Sequence, residues 1–157
     1  MPDQVYTVSQ AVEKAMKYCA YQERCQQEVR QKLHSFQLTS IQREEVIMEL
    51  INQDFLNEER YSQAFARGKF RMKAWGKKKI TLALKQKEIS EYCIRKGMAE
   101  IDEKEYNQTL ATLIRKTYDK NKGVQEYQRV AKTAQYVIGR GFEAHLVWDQ
   151  LKTLAND

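Results

Sequence analysis

The sequence contains few of the residues that interrupt helices. Its single proline is Pro2, there are six glycines in 157 residues, and residues 3–67 contain neither type. Strand-rich folds need many tight turns with special backbone angles, so this scarcity predicts a mostly helical protein. Hydrophobic residues make up 42% of the chain and charged residues 31%, which is typical of a folded protein with a very polar surface.

Signals for membranes, secretion and metal binding are also missing. No apolar run approaches the roughly 20 residues that a membrane span needs, and the N-terminal MPDQVYTVSQ lacks the apolar core of a secretory signal. Cys19, Cys25 and Cys93 have no CxxC spacing, which argues against a disulfide framework and against a zinc site. We therefore expect a protein of the reducing cytoplasm that makes no membrane contact.

Motifs for catalysis are weak. The Gly-Lys-Lys-Lys run at Gly76 looks like a fragment of a phosphate-binding loop, but Arg71 stands where that loop needs its first glycine and no strand leads in. His34 and His145 are far apart in the chain, so neither is paired in sequence with a nucleophile. We expect no enzyme activity, no catalytic residues, no metal and no cofactor.

Apolar residues recur at helical spacing along nearly the whole chain, and polar residues mark the starts of the predicted helices. In the third helix, the predicted buried stripe is Ile41, Val46, Ile47, Leu50 and Ile51. The predicted helix starts are Thr39 or Ser40 with Gln42 in a capping box, a residue near Asn57, Ser90, and Asp102 with Glu105 in a second capping box. The fourth helix is expected to stop before Gly76. The resulting order is long helix, shorter helix and helix, three times over.

This order corresponds to an internal repeat. Leu33, Leu84 and Val137 are separated by 51 and 53 residues, and apolar residues recur at most equivalent positions around them, with Thr133 and His145 as exceptions. Such a period predicts an all-α protein of three tandem three-helix repeats forming an elongated, curved array. The predicted repeats are residues 1–54, 55–102 and 103–157.

The stretch RGKFRMKAWGKKK, from Arg67 to Lys79, holds seven Lys or Arg and no acid, in a chain of net charge +6. At about 100° per residue, one helix face is predicted to be the buried stripe. That face consists of Tyr61, Phe65, Gly68, Met72 and Trp75. Phe70 falls on the opposite side, where it is either an exposed aromatic in a basic field or a residue covered by a neighbouring repeat.

The basic residues predict a surface for a polyanion or an acidic partner. Lysines at the start of a helix oppose the helix dipole, so the three from Lys77 to Lys79 indicate use in binding rather than in stability. A spread of charges along an array favours contact with phosphates over base reading. The predicted partner- or DNA-binding residues are Arg67, Lys69, Phe70, Arg71, Lys73, Lys77, Lys78, Lys79, Arg115, Lys116, Arg129, Lys132 and Arg140.

The segment from Asp54 to Ser90 resembles the central signature of the RecX regulatory proteins, bacterial modulators of the RecA recombinase. The matching positions are Phe55, Leu56, Asn57, Glu58, Arg60, Tyr61, Phe65, Arg67, Gly76, Ile80 and Leu84. The flanks YCAYQERCQQEVRQKL and YVIGRGFEAHLVWDQL resemble the first and last units of the family. Ser62 and Cys25 depart from its usual residues, and the segment from Lys85 to Ile89 lacks its common glycine.

The resemblance implies three three-helix repeats that lie in the groove of the RecA–DNA filament as a monomer. There such a protein modulates, and by expectation inhibits, RecA in recombination, DNA repair and the SOS response. Weak, salt-dependent binding to single- or double-stranded DNA is implied as well. A helical protein that binds DNA independently of RecA is the alternative, and a scaffold for an unrelated protein is a third.

Overall fold

A computed structural model describes residues 5–155. Outside this range lie Pro2, the first residues of the segment considered for a secretory signal, and the outer ends of the first and third predicted repeats. Within it the chain forms nine α-helices, a single 3₁₀ turn at His34–Phe36 and no strand. The helices are α1 Val8–Tyr21, α2 Gln26–Leu33, α3 Ser40–Asn52, α4 Glu58–Lys73, α5 Lys77–Gln86, α6 Glu91–Met98, α7 Glu103–Lys120, α8 Glu126–Gly139 and α9 Ala144–Ala155.

Five of the helices in the described range, α1, α3, α4, α6 and α7, begin at a residue whose side chain accepts from a free backbone N–H group. Thr39 accepts a hydrogen bond from the Gln42 amide in a full capping box, as predicted, and Thr7 forms a second one with Gln10. Asn57, Ser90 and Asp102 also cap their helices by accepting from the amide three residues on. For Asp102 only this half of the predicted capping box with Glu105 is found.

The predicted repeat is confirmed by burial and by backbone angles. Leu33, Leu84 and Val137 are each 0% exposed. The equivalent Val29, Ile80 and Thr133 are also 0% exposed, and the Thr133 hydroxyl donates to the carbonyl of residue 129 instead of facing water. A left-handed turn follows at the same spacing in each repeat, at Gln37, Glu88 and Gly141, with φ of 54°, 62° and 102°. The protein is all-helical, with three tandem three-helix units.

The three units share two hydrophobic cores. α1, α2 and α3 pack together around the first core, which includes Leu33, Val46 and Leu50. One continuous second core runs through both α4–α6 and α7–α9, and includes Leu84 and Val137. The first unit therefore has a core of its own, whereas the second and third are built around common apolar contacts. The three boundaries predicted from the sequence stay predictions.

Two glycines allow the second and third units to approach closely. A methyl group on Gly76 would lie 2.2 Å from the carbonyl carbon of Gly141, and one on Gly141 would lie 2.4 Å from the Cβ of Lys79. The Gly76 amide donates to the Arg140 carbonyl and the Lys78 amide to the Gly141 carbonyl, each at 2.9 Å. Any other residue at Gly76 would collide with backbone, which cannot move aside as a flexible side chain would.

Tyr106 of α7 stands beside this contact. Its ring lies 5.7 Å from that of Phe70 and 5.1 Å from that of Phe142, so three aromatic rings join the two units. The Tyr106 hydroxyl accepts from the Lys77 amide at 3.0 Å and donates to the Glu143 carboxylate. Burial, followed by the bond to Glu143, raises the pKa of Tyr106, so the hydroxyl keeps its proton as a donor.

The first and second units meet mainly through polar contacts. Arg60 pairs with Glu23 at 2.6 Å, and the Glu58 carboxylate accepts from the backbone amide of residue 26 at 2.9 Å. Burial raises the pKa of Glu58. Cys25 reaches across from the first unit into the second core, where it is 0% exposed. This junction contains far less apolar packing than the glycine contact between the second and third units.

Some predicted details of the helices are wrong. Ile41 is 73% exposed and Ile51 38% exposed, because α3 directs Val46, Ile47 and Leu50 inward instead. The expected end of the fourth helix before Gly76 is confirmed, since α4 ends at residue 73 with Ala74 in the left-handed conformation. Gly76 is the N-cap residue of α5.

The glycine contact predicts a strong effect of one added methyl group. Gly76→Ala should lower the free energy of unfolding by about 2–4 kcal/mol, because its Cβ overlaps the Gly141 backbone. Gly68→Ala is the matched control: no atom lies within 4 Å of its added Cβ, and it should stabilise α4 by about 0.5–1 kcal/mol. Urea unfolding followed by circular dichroism measures both. Equal stability of the two variants would contradict the assigned contact.

Candidate nucleic-acid and protein interface

The basic stretch begins on α4, whose buried face differs from the predicted one. Tyr61, Ser62, Ala66 and Phe70 are buried, whereas Met72 is 83% exposed. Of the two alternatives predicted for Phe70, exposure in a basic field is therefore wrong and cover by a neighbouring repeat is confirmed. At 3% exposure Phe70 packs on Tyr106 of the third unit, so the neighbouring repeat covers it and removes it from any partner surface.

Trp75 forms the centre of a small cluster that we call the tryptophan cluster: Phe65, Lys69, Trp75 and Lys79. The amino groups of Lys69 and Lys79 lie 4.9 Å and 4.5 Å from the centre of the Trp75 ring. The ring is half-buried, with its edge towards Phe65 at 6.4 Å. Such cation–π contacts orient the two lysines. Each contact contributes about 0.5–1 kcal/mol at an exposed site. The prediction that Trp75 packs at the core is met only in part, since its ring also supports two cations.

The remaining basic side chains of α4 differ in whether they form ion pairs within the chain. Arg67 pairs with Glu100 at 3.4 Å and Arg71 with Glu105 at 3.6 Å. These pairs are well exposed, so they contribute little stability and leave the guanidinium groups available to a stronger anion. Lys73 is exposed and has no ion-pair partner among residues 5–155.

The three lysines of α5 have separate environments. Lys77 pairs with Glu103 and lies 4.6 Å above the Tyr106 ring, so it belongs to the junction between units. Lys78 is exposed, and within the described chain no acid pairs with it. The backbone amides of residues 76–78 already donate to acceptors in the third unit. The start of α5 therefore offers side-chain charge to an anion but not free N–H groups.

Two predicted arginines of the third unit hold the structure together. Arg129 donates to the Tyr118 carbonyl at 2.7 Å, and its guanidinium lies 3.4 Å from the centre of that ring, which leaves 17% of the side chain exposed. Arg140 donates to the Lys73 carbonyl at the end of α4, and its Nε is buried without a hydrogen-bond partner. Little of Arg129 remains for a partner, while Arg140 links the two units.

Arg115, Lys116 and Lys132 are exposed on the third unit, and two of them border a groove between α7 and α8. The groove has a volume of about 400 Å³. Its lining residues are Leu113, Lys116, Thr117, Lys120, Asn121, Lys132 and Tyr136. We call it the α7–α8 groove. The predicted site left out Lys120 and Tyr136, although the spacing of four residues from Lys116 to Lys120 and from Lys132 to Tyr136 could have indicated them.

The described residues contain no group of three or more His, Cys, Asp or Glu that could hold a metal ion. Among residues 5–155, no helix is both long and apolar enough to cross a membrane. Cys19 and Cys25 are buried, and burial raises the pKa of each thiol to about 11, so both stay protonated at neutral pH. These thiols act in packing.

The corrected face of α4 leads to a comparison of two substitutions. Phe70→Ala should cost about 3–5 kcal/mol of unfolding free energy, because it removes a buried ring between two units. Met72→Ala, two residues on, should change it by less than about 0.5 kcal/mol because that side chain faces water. Thermal unfolding by calorimetry separates the two. If Met72→Ala were destabilising and Phe70→Ala neutral, the buried face of α4 would be the one predicted from the sequence, and the burial of Phe70 would be contradicted.

Comparison with known proteins agrees with this architecture. The family model of the second three-helix domain of RecX matches residues 57–98. Regulatory protein RecX of Streptococcus uberis is 31% identical over 138 residues, which are 85% of this chain and 51% of the relative. Regulatory protein RecX of Lactobacillus gasseri is 26% identical over 98 residues, 62% of this chain and 36% of the relative. The chain spans about half of the first relative and about a third of the second.

Solved structures share the fold. The crystal structure of RecX from Lactobacillus salivarius superposes with a TM-score of 0.84 at 23% identity, covering 96% of this chain and 97% of that one. A second crystal structure of a regulatory protein RecX gives a TM-score of 0.84 at 20% identity over 93% of this chain and 73% of the other. With the matched domain and the relatives in sequence, these show that residues 57–98 match the second three-helix domain of RecX and that the chain is similar in sequence and fold to RecX regulatory proteins.

Proposed function

We propose that this chain binds the RecA–DNA filament and limits RecA activity in recombination and DNA repair. The observation that carries the proposal is that the stretch from Arg67 to Lys79, with its seven basic residues, lies inside the matched RecX domain. Contact would be made through charge and shape, by side chains of the second and third units. No covalent step and no cofactor is required, and the chain acts as a monomer of the cytoplasm in dilute solution.

The distribution of charge supports contact with a filament of protein and DNA. Lys73 and Lys78 are exposed without acidic partners in the described chain, and the lysines of the tryptophan cluster are held over one ring. Lysines contact phosphates as point charges and do not read base edges in the paired geometry that arginine uses. A filament presents both phosphates and acidic side chains, so such a surface recognises it independently of sequence.

The alternative is binding to DNA itself. The α7–α8 groove favours it, since Lys116, Lys120 and Lys132 are exposed there beside the aromatic Tyr136. Stacking on an aromatic ring beside lysines is a common way to hold single strands. The two functions differ in stoichiometry. A filament modulator acts when it is scarce relative to RecA, whereas a DNA competitor acts only when it covers the DNA.

A titration of RecA ATPase activity on single-stranded DNA tests the proposal. We expect inhibition far below one copy of this protein per RecA subunit, because one bound copy limits the growth of a whole filament. Raising the salt concentration should weaken the inhibition, since phosphate contacts release counterions. Inhibition that appears only near saturation of the DNA would favour the alternative.

Charge reversal locates the surface. Lys73→Glu with Lys78→Glu should abolish inhibition while helical content is unchanged, because both side chains are exposed and have no ion-pair partner among residues 5–155. Lys77 is left intact, since it pairs with Glu103 at the junction. The matched control is Lys14→Glu with Lys17→Glu, two exposed positions on α1. Equal loss in both double variants would point to net charge and contradict the assigned surface.

A further inference from the structure

The first unit differs in charge from the rest of the chain. Residues 1–54 carry eight Asp or Glu and six Lys or Arg, whereas residues 103–157 carry seven acids and nine bases. Each terminal unit is joined to the middle unit, the first through polar contacts and the third through the shared core. The array therefore has a slightly acidic end unit and a slightly basic one.

The outer side of α3 carries an apolar and acidic face that no other part of the described chain covers. We call it the α3 face. Its residues are Ser40, Ile41, Glu44, Glu45, Met48, Glu49 and Asn52, which line a shallow furrow. Ile41 is 73% exposed and Met48 57% exposed, and they lie two helical turns apart. Large apolar side chains flanked by carboxylates are typical of a helix face that binds a groove.

The α7–α8 groove has the complementary chemistry. Lys116 and Lys120 line it from α7 and Lys132 from α8, and none of them has an ion-pair partner among residues 5–155. Leu113 and Tyr136 provide apolar surface between the lysines, and Tyr136 is 52% exposed. A phosphate would neutralise the lysines but leave this apolar surface in water. A helix face with both carboxylates and apolar side chains would satisfy both.

We propose that the α3 face of one copy docks in the α7–α8 groove of a second copy of this chain. Glu45 and Glu49 would meet the groove lysines, and Ile41 and Met48 would cover Leu113 and Tyr136. Glu44 already pairs with Arg30 at 2.8 Å, so it contributes less. Within one chain both faces are exposed, so neither is occupied by the other.

The contact is heterologous, because two different surfaces meet. Repetition of such a contact gives a head-to-tail row of copies, which stays open unless the rotation between copies closes a ring. The exposed side chains involved are few, so the contact is of the small, transient class and forms at high local concentration. The inference goes beyond the proposed function and does not depend on it, since it concerns the protein alone.

Sedimentation velocity of the purified chain at low salt tests the inference. The weight-average sedimentation coefficient should rise with concentration into the high micromolar range and fall back when salt is added. Glu45→Lys with Glu49→Lys, or Lys120→Glu with Lys132→Glu, should each lower the association constant at least about tenfold, because like charges then face each other. The control is Lys14→Glu with Lys17→Glu, which changes the net charge as the groove variant does and should associate like the original chain.

Pairing of the variants identifies the two surfaces. In an equimolar mixture, the intact α3 face of the groove variant meets the intact groove of the α3 variant, and the two altered surfaces carry opposite charges, so association should return as rows in which the two variants alternate. One chain with all four substitutions has both charges exchanged and should associate again. If the chain is a monomer at every concentration, the proposal is overturned, and the groove is then better explained as a site for an anion. Association that survives both double variants, or that neither the mixture nor the fourfold variant recovers, overturns it as well.

Discussion

The close approach of Gly76 and Gly141 is the constraint on which the rest of the structure depends. The start of α5 and the turn before α9 touch backbone to backbone, and the amides of α5 donate into the third unit. Because the turns are in contact, Phe70, Tyr106 and Phe142 can stack across the junction in one core. The basic side chains around α5 are thus fixed relative to those of α7 and α8.

The junction between the first and second units has a different physical basis. Its contacts are ion pairs and hydrogen bonds such as Arg60 to Glu23, and partly exposed pairs of this kind typically contribute only about 0–1 kcal/mol each. Cys25 and Tyr61 provide local apolar contact there. A unit held in this way can open without unfolding its neighbours. The basic surface lies on the rigid pair of units and the α3 face on the more loosely joined one.

Helical periodicity and spacing in the sequence were enough to predict the all-α repeat. The register of Leu33, Leu84 and Val137 corresponds to fully buried positions, and even the mismatch at Thr133 is buried, because its hydroxyl bonds within α8. The left-handed turn at Glu88 is one that sequence alone would not place, since a non-glycine residue rarely adopts it.

The packing between units could not be predicted from the residue pattern of single helices. The wheel of α4 placed Met72 inside and Phe70 outside, because a wheel ranks faces by their own hydrophobicity and not by what a neighbouring unit brings. Charge alone likewise did not separate Arg129 and Arg140, which bond to backbone carbonyls, from Lys78, which faces water. The binding role of every basic residue stays a prediction.

Native-state hydrogen exchange in low urea tests most directly whether the glycine contact makes one body of two units. The amides of α5, α7 and α8 should share a single opening free energy, because they surround one core, and those of α1–α3 should open separately at a different value. Gly76→Ala should lower the shared value and leave the value of the first unit unchanged. Separate opening of α4–α6 and α7–α9, with α1–α3 following α4–α6, would contradict the account.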